Sequence, residues 1–280
     1  MFLQGYKKGF VLYGLQQLDD LPENTEYSRA TLNKIDNDYY LKMTIYYNKD
    51  SNKEEYRKIK GKAIGIDFGC ETQLTLSNGI KISYEVPISN QIKIKQKKLS
   101  KQKKGSKNRE KTKLKIAKLY HRSNNQKKDI KDKIVHSLIS NYEYVIFQDE
   151  NIKEWQKGNH GKKINKTAIG GIIRDLKVKS HTPIMINRFY PSTRECFCGN
   201  KIDITLWDRE FKCDKCGLVL DRDIKSAIKI KDEGMHSELI PMERRDSKPV
   251  EQLATTRNFL DSLSRINRVT SKLVAMNQEA

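Results

Sequence analysis

Polar and apolar residues alternate between Tyr40 and Tyr47. Leu41, Met43, Ile45 and Tyr47 share one face, Lys42 and Thr44 the other, which is the period of a half-buried strand. Ser28–Ile35 predicts a partner strand, ended by the turn Asp36-Asn37-Asp38, and Gly9–Leu15 predicts a further one. Three strands alone are marginal, so this antiparallel unit is expected to be partial or to pack on a neighbour. A second strand block opens at Ala63–Asp67. Leu74-Thr75-Leu76 and Ile80-Lys81-Ile82 follow, flanking Ser77-Asn78-Gly79, whose Asn-Gly step signals a tight hairpin. The period then becomes helical. Leu114, Ile116/Ala117 and Tyr120 recur on one stripe, as do Ile130, Ile134 and Leu138, with a break at Lys103-Lys104-Gly105-Ser106. Tyr144–Phe147 reads as a buried strand. Beyond Gly158 and Gly161, Thr167–Val178 reads as a helix with Ile169, Ile172, Ile173 and Leu176 inward, and Pro183–Asn187 as a strand. Asp223–Lys231 reads as a helix with Ala227, Ile228 and Ile230 apolar, and Asn258–Ala275 as a last helix. No internal repeat is present. This order predicts an α/β domain with a mixed sheet.

Charge sharpens the picture. The 280 residues carry a net +20, with 36% hydrophobic and 32% charged residues. Segment 91–133 holds 18 basic residues against Glu110, Asp129 and Asp132, so +15 of the excess sits in 43 residues. An evenly solvated surface does not concentrate charge this way. A polyanion is the natural partner, because Lys and Arg displace condensed counterions from phosphates. Lys97, Lys98, Lys101, Lys103, Lys104, Lys107, Arg109 and Lys111 are the candidate nucleic-acid contacts. The N-terminus lacks a signal-peptide layout and no apolar run approaches membrane-spanning length. A soluble, cytoplasmic protein without membrane partners is expected.

Candidate chemistry comes from cysteines and acids. Cys196/Cys198 and Cys213/Cys216 form two close pairs, which read as ligands of one structural Zn²⁺ or as reduced, metal-free cysteines. Asp67 ends a strand, Asp149-Glu150 follow an apolar strand, and Asp223 opens a helix. Phosphodiester cleavage needs both the attacking and the leaving oxyanion stabilised. Two Mg²⁺ ions roughly 4 Å apart do this, held by a few carboxylates. Each acid also has a plainer reading: a loop acid at Asp67, a solvated strand end at 149–150, an N-cap at Asp223. Cys70, Trp155 and Trp207 read as packing, and the histidines (121, 136, 160, 181 and 236) show no ligand spacing.

These residues resemble a known family. Gly65-Ile66-Asp67-Phe68-Gly69 is similar to the first RuvC motif of the TnpB (OrfB) proteins of insertion sequences. Asp221-Arg222-Asp223 with Ile224-Lys225-Ser226-Ala227 resembles their third motif. Phe189–Cys196, with Cys213-Asp214-Lys215-Cys216-Gly217, resembles their zinc ribbon, and Leu99–Arg109 their basic helical hairpin. The resemblance implies an RNase H-like (RuvC) nuclease domain and RNA-guided DNA cleavage, with guide RNA and target DNA as partners. The implied catalytic set is Asp67, Glu150 and Asp223.

The chain departs from that pattern in four places. It starts inside what resembles the wedge domain, without the recognition region of longer members. Gln148 stands where the second motif carries its Glu. Strand alternation puts 148 and 150 on one face, which favours Glu150 as ligand and leaves Asp149 second. Lys225 replaces an Asn, where it could neutralise the metal cluster or contact the scissile phosphate. The first cysteine pair is Cys-Phe-Cys rather than Cys-x-x-Cys.

The implied layout has five parts. They are a partial β-barrel wedge region (1–60), the first part of the nuclease domain (61–191, basic hairpin 91–140), a zinc ribbon (192–218), the last nuclease motif (219–234) and a C-terminal tail (235–280). The expected function is a transposon-encoded RNA-guided DNA endonuclease. The alternatives are a truncated or nuclease-impaired relative that binds nucleic acid as a regulator, or a non-functional transposon remnant.

Overall fold

Alternation and hairpin signals become strands in a computed structural model of the chain. It describes residues 12–14, 16–19, 21, 25–35, 38–46, 59–86, 89–158, 161–205, 207–237, 259–260, 263–264 and 269–273. Two units divide at residue 54. The first holds a short helix α1 (Gln16–Asp19) and an antiparallel pair, β1 (Glu26–Ile35) and β2 (Asp38–Tyr46). Leu41, Met43 and Ile45 are half-buried on β2, while Tyr39, Tyr40 and Tyr46 are exposed. Of the strand expected over Gly9–Leu15, only 12–14 are described, and these are not in a strand.

The second unit is built on a six-stranded sheet ordered β10-β5-β4-β3-β6-β7. Strands β3 (Ala63–Phe68), β4 (Leu74–Leu76) and β5 (Ile80–Tyr84) form an antiparallel meander, with Gly79 at φ +86° in the turn. That positive φ is what the Asn-Gly step supplies. Helices α2 (Asn90–Lys101) and α3 (Lys107–Ile139) then lead to β6 (Tyr144–Gln148), which lies parallel to β3. The short helices α4 (Ile152–Lys157) and α5 (Gly161–Ile164) precede α6 (Ile169–Lys179). Next comes β7 (Thr182–Ile186), parallel to β6. A small antiparallel pair, β8 (Glu210–Lys212) and β9 (Val219–Asp221), runs directly into α7 (Arg222–Ser237).

Side-chain alternation divides the sheet into two buried faces. Ile64, Ile66, Phe68, Leu74, Leu76, Ile80, Ile82, Val145 and Phe147 face one core with α3 and α6, including Ile134, Leu138, Ile172 and Leu176. Tyr144, Ile146, Ile184 and Ile186 face the other, with Ile230 and Met235 of α7. A sheet covered on both sides explains why β6 is buried throughout. Cys70 and Trp155 pack against the first core, as packing residues should.

Three expectations need correction. Of the first apolar stripe of α3 only Ile116 is buried, while Leu114 and Tyr120 are exposed; continuous burial begins at Ile130, where the helix meets the sheet. The last helix does not run from Asn258 to Ala275. Positions 259–260 and 263–264 are helical, but Val269–Leu273 is strand β10, antiparallel to β5. Val269 and Thr270 favour extended backbone, and their strand covers what would otherwise be an open edge at β5. The stretch 235–280 is therefore no simple tail: Phe259 and Leu263 are fully buried in the main core.

Candidate functional site

The face that carries Gly65 also carries Asp67, and α7 lies on it. A Cβ at Gly65 would stand 2.2 Å from the Ala227 carbonyl oxygen and 2.7 Å from Lys231 Cβ; one at Gly234 would stand 2.3 Å from Ile146 Cγ2. Only glycine allows this approach, which brings the first turn of α7 to the end of β3. The cap of α7 is Asp221, whose Oδ1 accepts the Asp223 and Ile224 amides, both at 3.1 Å. Asp223 is thereby spared the N-cap role. Its carboxylate meets the Arg222 guanidinium at 3.2 Å and the Lys81 ammonium at 3.5 Å.

Asp67 lies within the field of two other acids. Burial, then the Asp223 and Glu150 charges, push its pKa up to about 8, against the pull of Arg222 and Lys81. Burial also raises Glu150, against Arg188. β6 ends at Gln148, and the Glu150 amide turns back to donate to the Gln148 carbonyl at 3.0 Å. Alternation along a continuing strand therefore does not place Glu150; a tight turn does. Asp149 is held by Lys177 at 2.8 Å and Arg188 at 2.7 Å, and those bonds hold its pKa low. Gln148 is buried outside the acid group. Its amide nitrogen donates to the Tyr190 and Asn187 carbonyls at 3.0 and 3.3 Å, and its oxygen accepts from Ser192 at 3.1 Å. Ser226 of α7 continues the chain to Ser192 at 3.0 Å.

Among the described residues, one group of three or more His, Cys, Asp or Glu has all its donor atoms within 4.8 Å of one another: Cys196, Cys198, Cys213 and Cys216. The cysteines are unbridged, with Sγ–Sγ distances of 3.6 Å (Cys196–Cys216) and 3.7 Å (Cys198–Cys213). Four thiolates about 2.3 Å from a tetrahedral Zn²⁺ lie roughly 3.8 Å apart, so the cage has the size of a zinc site. The short Cys-Phe-Cys loop closes because Gly199 adopts φ +78°, mirrored by Gly217 at +74°. The Cys216 amide, then that of Lys215, donates to Cys213 Sγ and draws that thiol down to about 6, favouring the thiolate.

Lys225 is enclosed by the ribbon, though Asp67 is among the charges that act on it. It is fully buried, donates to the Thr193 carbonyl at 2.7 Å and lies 4.0 Å over the Phe211 ring, and burial lowers it to about 8. One turn on, Lys229 binds Glu195 at 2.9 Å. The two lysines fasten α7 to the cysteine ribbon and set positive charge beside a cage whose thiolates would carry net negative charge. Trp207 is not knuckle packing: it is 90% exposed.

On the basic hairpin, Lys97, Lys98, Lys101, Lys103, Lys104, Lys107 and Lys111 are all exposed. Arg109 differs. Its guanidinium donates to the Leu99 and Gln102 carbonyls, tying the end of α2 to the start of α3. Lys81 was the residue least visible beforehand. The alternation Ile80-Lys81-Ile82 marks it as facing away from the main core, but only the register Asp67↔Thr75↔Lys81 aligns it with the acids.

Comparison with known proteins shows what the chain is similar to. The OrfB_IS605 family, described as "Probable transposase", matches residues 44–157, and the "Cas12f1-like, TNB domain" family matches 175–230. A curated Streptomyces pristinaespiralis protein named "Putative RNA-guided DNA endonuclease" is 30% identical over 183 residues, covering 62% of this chain and 45% of that protein. The chain thus spans less than half the length of that relative. The structure titled "Cryo-EM structure of the Cas12f1-sgRNA-target DNA complex" aligns at TM-score 0.33 with 18% identity, over 72% of this chain and 55% of that one. Among the described residues, no helix is long and apolar enough to cross a membrane.

Proposed function

We propose, from the premise that this chain belongs to the TnpB (OrfB) family, that it is an RNA-guided DNA endonuclease with a RuvC-like acidic site. One observation carries the reading. Asp67, Glu150 and Asp223 come from three separate elements, yet the charges of Glu150 and Asp223 both reach Asp67, which is itself desolvated by burial. A cluster of carboxylates from three elements suits a hard cation, and an in-line phosphodiester displacement is served by two Mg²⁺ ions. Bound there, Mg²⁺ would supply charge stabilisation to both oxygens of an in-line displacement.

The remaining work falls to the chain. Asp67 must lose its proton to act as a ligand, so ion binding competes with protonation near neutral pH. Glu150 and Asp223 hold the flanks of the site, and Asp149 is kept out of it by Lys177 and Arg188. The ribbon holds one structural Zn²⁺ and fixes the start of α7 through Lys225 and Lys229. The exposed hairpin lysines provide a sequence-independent path for RNA or heteroduplex, while base pairing supplies specificity.

The test is to purify the chain, sequence the RNA that accompanies it, and offer DNA complementary to that RNA. Mg²⁺-dependent cutting of matched DNA, abolished by EDTA, is expected. A second reading rests on Gln148, a neutral residue committed to the ribbon loop: a nuclease-impaired regulator. Tight RNA and DNA binding with no cutting at any Mg²⁺ concentration would favour it.

A further inference from the structure

The acidic site has an internal cation. Lys81 Nζ lies 2.8 Å from Asp221 Oδ2 and 3.5 Å from Asp223 Oδ2, with its side chain 18% exposed. The sheet places it there. Asp67, Thr75 and Lys81 are successive cross-strand partners on β3, β4 and β5, so all three side chains stand on the face that α7 covers. Ile80 and Ile82, on either side, are buried in the opposite core, which fixes the face of β5 that carries Lys81. Lys81 therefore stands two strands from Asp67 and reaches the first turn of α7 from the meander side. Arg222 and Lys225 are further cations that act on Asp67.

We infer that Lys81 is a built-in counter-ion of this site. It holds Asp221 and Asp223 in place while no divalent ion is bound, and it gives up Asp223 when one binds. The inference rests on the reading that Asp67 and Asp223 receive divalent ions. Its physical content is competition. An ammonium 3.5 Å from an Asp223 oxygen repels any cation that approaches the same oxygen, while its absence leaves several carboxylates facing one another. Losing Lys81 should therefore weaken the metal-free protein and strengthen its hold on the ion. A salt bridge that only fastens β5 to α7 would behave differently: its loss would loosen the site and weaken both.

The experiment uses the full zinc-loaded chain and Mn²⁺ as probe, with binding read by loss of the free-ion electron paramagnetic resonance signal. Lys81→Met should bind Mn²⁺ about tenfold more tightly than wild type at low salt, the gain shrinking as salt rises. Its melting temperature without Mn²⁺ should fall, and saturating Mn²⁺ should restore it. Lys81→Arg, which keeps the charge, should bind like wild type. Lys81→Gln carries the same expectation as the methionine variant should that one not fold. Unchanged or weaker Mn²⁺ binding in the neutral variants, with wild type binding normally, overturns the inference alone. Absence from wild type of any Mn²⁺ site that Asp67→Asn removes overturns it together with the nuclease reading.

Discussion

Gly65→Ala tests whether the close seat of α7 makes the site. The added Cβ would fall 2.2 Å from the Ala227 carbonyl oxygen. That oxygen belongs to helical backbone and cannot swing aside without breaking a helix hydrogen bond. Reaching an ordinary C···O contact of about 3.3 Å moves the helix by about 1 Å. Overpacking of this kind costs about 1–3 kcal/mol, of which the strand preference for Ala over Gly returns about 0.5–1. The same displacement carries Asp223 away from Asp67, and a misplacement of about 1 Å can cost about 100-fold in rate. Urea denaturation should therefore show a lower midpoint at unchanged slope, and cleavage should fall far more than the stability loss explains. Gly170→Ala is the matched control. Its Cβ meets Ile152 Cγ2 at 3.4 Å, an ordinary contact, and a helix gains from Ala. A Gly65→Ala protein with the wild-type midpoint and wild-type cleavage would refute the argument that α7 placement creates the site.

Three further outcomes are expected. Gln148→Glu, although it restores a carboxylate at the usual family position, should destabilise the fold by about 1–3 kcal/mol, since it would face the Asn187 and Tyr190 carbonyls; improved cleavage would show that the amide is not structural. Metal analysis of reduced protein should give about one zinc per chain, with Cys213→Ser losing both the metal and ribbon stability; full stability without zinc would favour metal-free cysteines. Reversing the charge of Lys103, Lys104 and Lys107 should weaken RNA binding and flatten its salt dependence by about 0.7–0.9 for each phosphate no longer neutralised; an unchanged slope would place the nucleic acid elsewhere.

The strands of the second unit were legible because their signals are local. Alternation marks β5, the Asn-Gly step marks its turn, and an unbroken apolar run marks β6. The cysteine cage was legible because close pairs on a ribbon converge by themselves. What escaped was long-range. Lys81 meets Asp221 through sheet register across 140 residues of sequence. Lys225 could be read as facing the acids, since nothing local shows that Phe211 and Thr193 enclose it. Glu150 was favoured for alternation along a strand that in fact stops at Gln148. Strand β10 was hidden because a mixed apolar segment takes its structure from the edge it completes, not from its own period.

The central claim is that Asp67, Glu150 and Asp223 act as one metal-dependent catalytic unit while Asp149 does not. Its most direct test is guide-matched DNA cleavage in Mg²⁺ by four single variants: Asp67→Asn, Glu150→Gln, Asp223→Asn and Asp149→Asn. RNA binding is measured on the same samples. The account predicts that the first three abolish cutting while RNA binding stays near wild type, and that Asp149→Asn still cuts. Cutting that survives Asp67→Asn, or that depends on Asp149 but not on Glu150, would contradict it.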